Sequence, residues 1–458
     1  MAIYLQDNST RTLSGAKEIA AIRKIGNRSV GHLLEHNKGL MVFPQSLLAE
    51  KDEQGLKGQQ ILSYHDEEEK LKVQTHNIAG FIGCGGEDIN ISSRFATAEK
   101  NGKDDFFLHY MLQKVMSINL LDMPHSTSPE DDAFDWMLLF FPPLLKKALS
   151  QGLYKEYRTF EYNDARVRGP IDVSRHIRYN IPFNGKIAYK AREHSHDNPV
   201  TELVRHTIEY ISQHPWGRAV LNSDADIREA VSQIREATPS YNPRERISII
   251  QKNARKAVNH PYYTHYRSLQ SLCLQILRHE TLRYKSSDEK SIYGILFDVA
   301  WLWEEYLNKV FEEHNLGLKH PRNKTGEGRI YLGRNTMPRY PDYYKESGTR
   351  TVAFDAKYRR RKNVGRDDQN QMVAYLYRLK AQYGGFILPL SKNESIIDED
   401  GQATTQNEVH ELLGYGEGKA KLGYHYMTIP QNTDDYRQFI QAIQEEEDVI
   451  ADTIGNNF

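Results

Sequence analysis

The chain has 458 residues, 39% of them hydrophobic and 26% charged, with Lys+Arg of 60 against Asp+Glu of 61 and a formal net charge of −1. This length supports a sizeable core and about two to four domains, while the even balance excludes bulk charge as the basis of nucleic-acid binding and confines any electrostatic footprint to local patches. Cys84 and Cys273 are the only cysteines, too few for a disulfide framework or a structural zinc site and consistent with a reducing compartment.

The start, Met1 to Asp7, lacks a basic segment followed by an apolar one, and no run of about eighteen apolar residues occurs. The expectation is a cytoplasmic protein that does not engage a membrane. Residues 1–145 alternate short apolar runs with Gly, Asn and Asp turns, which predicts a β-rich N-terminal domain, with Gly83-Cys84-Gly85-Gly86 as a hairpin turn. Residues near 129–150 read as helical. The stretch 146–285 is mostly helical in pattern, interrupted near Thr238-Pro239 and His260-Pro261. In the third stretch, 286–458, a helix is predicted over Phe297 to Glu313, with Val299, Leu302, Trp303, Tyr306, Leu307 and Val310 at helical spacing. Two strands follow, Tyr340 to Tyr344 and Thr351 to Tyr358, joined by the turn-prone Glu346-Ser347-Gly348-Thr349. A second helix is expected over Asp368 to Tyr383, ended by Gly384-Gly385, then a buried strand over Gly385 to Leu390 and a last helix over Asp434 to Ile454. The fold class is therefore α+β and multidomain, with an α/β C-terminal part.

One constellation carries chemistry. A hairpin of those two strands brings Asp342 near Asp355, and strand alternation puts Asp355 and Lys357 on one face with Ala356 on the other. Burying like charges together is a poor stability device, but it suits a hard cation such as Mg²⁺, which takes one or two carboxylates plus substrate phosphate. Lys357 would then sit beside an attacking water. The competing reading of Asp-Ala-Lys is an exposed edge-strand charge pair. Against it, Val352-Ala353-Phe354 is apolar up to Asp355, and a basic run, Arg359, Arg360, Arg361 and Lys362, follows as a candidate contact to DNA phosphates. That run also reads as a solvated or edge-blocking loop.

These residues resemble the PD-(D/E)xK nuclease superfamily: a helix, a strand meander carrying Pro341-Asp342 and Asp355-Ala356-Lys357, a second helix and a further strand. The resemblance implies a restriction-endonuclease-like domain over 286–458. Gln371 and Tyr375 match the superfamily's Q-x-x-x-Y element, on one helical face by their i,i+4 spacing. It also implies a carboxylate from the first helix, for which Glu304 is a better match than Glu305, although periodicity does not separate them. A narrower resemblance is to the McrC subunits of 5-methylcytosine-dependent restriction systems and divergent LlaJI-type relatives. It rests on Gly152 to Tyr157, on Arg166-Val167-Arg168-Gly169-Pro170-Ile171-Asp172, on Asp197-Asn198-Pro199, and on a weaker echo at Ile91-Ser92-Ser93-Arg94-Phe95. Ser391 to Lys421 looks like an addition.

The family implies a subunit that cuts double-stranded DNA while an McrB-like AAA+ ring recognises DNA and hydrolyses GTP, with residues 1–145 docking to that ring. The sequence is compatible with this division. No G-x-x-x-x-G-K-[S/T] loop is present, Gly102-Lys103 and Gly185-Lys186 among the Gly-Lys pairs being followed by Asp and Ile, and GTP would be bound by the partner. The expected site is Asp342, Asp355 and Glu304 as Mg²⁺ ligands, Lys357 at the water and Gln371 in support. Two other readings stand beside it, a non-catalytic scaffold bridging the motor to DNA and a stand-alone repair nuclease. His194-Ser195-His196-Asp197 is read as a polar loop ending in a helix cap rather than a metal site. Tyr154, Tyr157, Tyr262, Tyr263 and Tyr266 are read as core-margin packing in preference to base stacking.

Overall fold

A computed structural model describes residues 2–37, 39–44, 56–67, 70–84, 87–96, 105–116, 137–214, 217–284, 292–321, 330–346, 350–360, 363–391, 396–397, 403–404, 407–413, 420–431, 433 and 435–457. The expectations on Gly85-Gly86, Gly102-Lys103, Ser347-Gly348-Thr349, Arg361 and Lys362 lie outside these residues. The chain forms two units, one made of Met1–Ala133 with Ser286–Phe458 and the other of Phe134–Lys285.

The first unit begins with β1 (Ala2–Gln6), β2 (Thr10–Leu13), α1 (Ala16–Ile25), α2 (Val30–His36) and β3 (Gly39–Phe43), then β4 (Leu62–Glu67), β5 (Lys70–Thr75), β6 (Ile78–Cys84), β7 (Glu87–Ser92) and α3 (Phe106–Met116). Alternation decides which strands lie at the surface. β5, Lys-Leu-Lys-Val-Gln-Thr, buries every second residue in a three-stranded sheet ordered β2-β5-β4. β6, Ile-Ala-Gly-Phe-Ile-Gly-Cys, is buried throughout and lies central in a five-stranded sheet.

The second unit holds α4 (Phe141–Leu149), β8 (Glu156–Asp164), α5 (Val173–Asn180), β9 (Ile187–Ser195), α6 (Pro199–Ser212), α7 (Gly217–Leu221), α8 (Ala225–Ala237), α9 (Arg246–Arg255) and α10 (Tyr266–Tyr284). It is largely helical. β8 and β9 form an antiparallel ribbon from Glu156↔Ser195 to Asp164↔Ile187. Asn198 caps α6 by accepting from the amides of Val200 and Thr201, so His194 to Asp197 end a strand and lead into that cap. Tyr154 and Tyr266 are buried, whereas Tyr157 and Tyr262 are exposed.

The remainder of the first unit runs β10 (Ile292–Asp298), α11 (Val299–Glu313), β11 (Ile330–Tyr331), β12 (Pro338–Arg339), β13 (Tyr343–Glu346), β14 (Thr351–Ala356), α12 (Arg366–Leu379), β15 (Tyr383–Ser391), β16 (Ile396–Ile397), β17 (Ala403–Thr404), β18 (Glu408–Glu411), β19 (Lys421–Ile429) and α13 (Tyr436–Gly455). β10 completes the N-terminal sheet, ordered β1-β7-β6-β10-β3. Gly80 and Gly294 sit on β6 and β10 at φ of +132° and +150°, where a Cβ would meet the carbonyls of Ile295 and Phe81. A second five-stranded sheet is ordered β13-β14-β15-β19-β18, with β14, β15 and β19 parallel and antiparallel strands at both edges. α12 makes the crossover between β14 and β15, a βαβ unit in an α+β whole.

Element boundaries differ from expectation for identifiable reasons. Phe297 and Asp298 end β10 rather than starting a helix, because Asp298 caps α11 by accepting from the amides of Ala300 and Trp301. The second helix stops at Leu379, with Lys380 left-handed at φ +52°. Gly384 and Gly385 do not terminate it. They lie inside β15, where a Cβ on Gly384 would press on Met372 and Leu376 of α12. The strand expected from Tyr340 begins only at Tyr343, since Pro341 has no amide to donate and the Asp342 carboxylate itself takes the Ala356 amide.

Candidate active site

β13 and β14 pair through Tyr343↔Phe354, and one further step of that register sets Asp342 opposite Asp355. In place of another ladder bond, Asp342 Oδ2 accepts from the Ala356 amide at 2.8 Å. Asp355 is 3% exposed, at the inner end of an apolar strand. Lys357 lies one residue past β14, its amide donating to the Ile387 carbonyl of β15 at 2.9 Å. Its Nζ reaches back to Asp355 Oδ2 at 2.5 Å and to Asp368 Oδ1 at 3.4 Å. Asp355 and Lys357 therefore do share a face, as alternation requires.

Burial sets the electrostatics. Asp342 is held well above the usual carboxylate range by desolvation, and the charges of Asp355 and Glu304 add to the effect against the pull of Lys357 and the Ala356 amide. Burial works against the charged form of Lys357, but Asp355 and Asp342 outweigh it and the pKa rises. The site is thus a set of carboxylates that feel one another's charge, with one ammonium drawn into them. Such a set costs stability and is a mark of functional sites.

Three further elements close around it. Glu304, from α11, has a side chain 14% exposed, and its main-chain carbonyl accepts from the buried Tyr343 hydroxyl. His320 places Nδ1 2.9 Å from the Asp342 carbonyl and stacks on Tyr343 with ring centroids 5.0 Å apart. Its Nε2 faces Glu305 at 3.7 Å and Glu304 at 3.9 Å. Desolvation lowers the pKa of His320, but Glu305 and Glu304 raise it by more. From α12, Gln371 Nε2 donates to the Tyr375 hydroxyl at 2.5 Å, and that hydroxyl donates to the Tyr340 carbonyl at 2.6 Å. The Q-x-x-x-Y pair thereby anchors the backbone two residues before Asp342.

Of the basic run, Arg360 is exposed, while Arg359 makes a fork to Asp368 at 3.2 and 3.3 Å. His320 and Asp368 were not singled out in the sequence. Lys319-His320-Pro321 matches no motif, and Asp368 signals only a helix cap, which it also forms by accepting from the Gly365 amide. Among the described residues no group of three or more His, Cys, Asp and Glu side chains is gathered to hold a metal ion. The donor set that exists is Asp342 and Asp355, with Glu304 near enough to shift Asp342. This fits a cation that completes its shell with phosphate and water. No helix among the described residues is long and apolar enough to cross a membrane.

No curated protein matches the chain. Among solved structures, it resembles one described as a refined half-complex from a tetradecameric assembly of Thermococcus gammatolerans McrB AAA+ hexamers with bound McrC. That match has 15% identity and a TM-score of 0.49, covering 97% of this chain and 100% of the other. It also resembles a cryo-EM structure of the Thermococcus gammatolerans McrBC complex, at 12% identity and TM-score 0.29, covering 69% of this chain and 88% of the other. A family profile described as McrBC 5-methylcytosine restriction system component matches residues 73–389. That span takes in the ribbon, both helices and the strands that carry Asp342, Asp355, Lys357 and Gln371, and the chain belongs to the McrBC 5-methylcytosine restriction system component family.

Proposed function

We propose that this chain is the McrC-like subunit of a GTP-dependent restriction system, a Mg²⁺-dependent DNA endonuclease of the PD-(D/E)xK type that works with an McrB-like AAA+ GTPase. The observation that carries the reading is the half-buried Asp342 beside the buried Asp355, with Glu304 and Lys357 close enough for their charges to act on it. A scaffold has no use for adjacent, poorly solvated carboxylates that repel each other, whereas a phosphodiesterase does.

Asp342 and Asp355 would hold the metal, with Glu304 alongside. A bound Mg²⁺ supplies stabilisation of charge on the scissile phosphate and a lowered pKa for coordinated water. Lys357 holds an ammonium beside Asp355, where it orients an attacking water and compensates negative charge as the phosphate enters. Gln371, through Tyr375, fixes the approach to Asp342. Arg359 and Arg360 lie just beyond the site and supply local positive charge for the DNA backbone in a chain with no net surplus.

The GTPase belongs to a partner in this account, since the sequence has no phosphate-cradling loop. The second unit carries a surface suited to a protein partner. Ile171, Val173, Ile177, Tyr179, Ile181 and Phe183, on and beside α5, are each more than half exposed. The test is cleavage of methylated and unmethylated DNA by the chain with Mg²⁺, with and without the partner and GTP. Cutting that needs both partner and GTP supports the reading, cutting by the chain alone points to an independent nuclease, and no cutting in any arm overturns the catalytic assignment.

A further inference from the structure

The end of the N-terminal sheet grips the residue that follows Lys357. Arg94, two residues past β7, donates to Asp7 Oδ2 from Nε at 3.2 Å and from Nη2 at 2.7 Å, and to Asn77 Oδ1 from Nη2 at 3.1 Å. Asp7 is fully buried just past β1, and Asn77 immediately precedes β6, so the guanidinium ties three strand ends together. Its neighbour Ser93 is pinned in turn, the amide and hydroxyl donating to Asp105 at 2.5 and 2.6 Å.

This fixed guanidinium lies over the ring of Tyr358, its Cζ 4.4 Å from the centroid. Phe95 packs edge-on to the same ring at 5.8 Å and 72°, and Tyr358 is 3% exposed. Tyr358 stands directly after Lys357, past the last β14–β15 pair, Ala356↔Ile387. Lys357 is held there by the hydrogen bond its backbone N–H donates to the Ile387 carbonyl, which also accepts from Trp303 Nε1 of α11 at 3.4 Å. The ladder has ended at this point, and a ring clamped on one side governs how the preceding side chain is aimed.

We propose that Arg94 is a positioning residue for Lys357, acting through the Tyr358 ring, so that the N-terminal sheet sets the geometry of the cutting site. The inference rests on the nuclease reading above for its catalytic consequence, and on packing alone for its structural one. It makes the N-terminal sheet more than a docking platform. Anything that displaces the ends of β1, β6 and β7 is transmitted to the ammonium at the site.

The test uses the full chain, with partner, GTP and Mg²⁺ for cleavage and without them for hydrogen–deuterium exchange of the peptide spanning 355–360. Arg94→Met is expected to lower kcat at least tenfold with KM within about twofold, and to speed exchange at 355–360 by a similar factor. Because that change strands a buried Asp7, Tyr358→Leu is the second variant. It leaves the Arg94–Asp7 pair intact and is expected to reproduce both effects, whereas Tyr358→Phe keeps the ring and stays near wild type. Wild-type exchange and wild-type kcat in Tyr358→Leu would overturn the proposal, as would Tyr358→Phe failing as badly as Tyr358→Leu. If the wild type itself cuts nothing, the nuclease reading falls, and the exchange comparison still decides whether Arg94 positions this segment.

Discussion

Replacing Lys357 with Met should leave the buried Asp355 and the half-buried Asp342 without their ammonium. At an Nζ to Oδ2 separation of 2.5 Å, the gross attraction to Asp355 is about 7 kcal/mol at an effective dielectric of about 20. Desolvating the lysine offsets much of it, and removal of one partner from a buried pair costs roughly 3–5 kcal/mol. Lys357→Met should therefore destabilise the first unit by roughly 3–5 kcal/mol at pH 7 without metal. Urea unfolding reads this, using Trp136→Phe and Trp216→Phe so that Trp301 and Trp303 report. The double variant Asp355→Asn with Lys357→Met should recover most of the loss. A cost under about 1 kcal/mol at pH 7, or a double variant no better than the single, would refute the coupling of Lys357 to Asp355.

Asp342→Asn should behave oppositely. The pKa of Asp342 is raised on folding, so its contribution to stability is greatest in acid and is lost as pH rises through the folded value. The Asn variant should thus be more stable than wild type near pH 8 by on the order of 1 kcal/mol, and the metal-free unfolding midpoint against pH checks this. The same shift implies that Mg²⁺ binding releases a proton in the range where Asp342 is protonated. Calorimetry in buffers of different ionisation enthalpy should show release in the wild type and none in Asp342→Asn. Tyr375→Phe removes the bond to the Tyr340 carbonyl and that to Gln371, with an expected stability cost of about 1–3 kcal/mol and a fall in kcat larger than any change in KM. Ile177→Ser with Phe183→Ser, on the exposed apolar surface on and beside α5, should weaken association with the GTPase partner in a pull-down while leaving thermal unfolding unchanged within a degree or two.

How much was legible in the sequence follows from how local each signal is. The alternation in Val352 to Lys357 needs only neighbouring residues, and Asp355 and Lys357 share a face as it requires, although β14 ends at Ala356, two residues short of the expected Tyr358. The i,i+4 pair Gln371 and Tyr375 is likewise local and lies on α12 as expected. Failures arise where distant chain decides. Ile292 to Asp298 pairs with β3 and β6, more than two hundred residues earlier, and nothing local announces that. β13 starts later than its alternation suggests because a side chain, Asp342, takes the amide that a longer ladder would use. The glycines of β15 read as a helix stop, but they lie where a Cβ would press on neighbours, Gly384 on Met372 and Leu376 and Gly385 on Phe354 and His425. His320 and Arg94 have meaning only once tertiary packing sets them beside Asp342 and Tyr358.

The central claim is that Asp342, Asp355 and Lys357 cut DNA. Its most direct test is Mg²⁺-dependent cleavage of methylated DNA by wild type and Asp342→Asn, each with partner and GTP, since this variant is expected to fold at least as well as the wild type. The account predicts cleavage by the wild type and its loss, by a factor of a hundred or more, in Asp342→Asn with partner binding and stimulated GTP hydrolysis retained. Equal cleavage by the two proteins would contradict it.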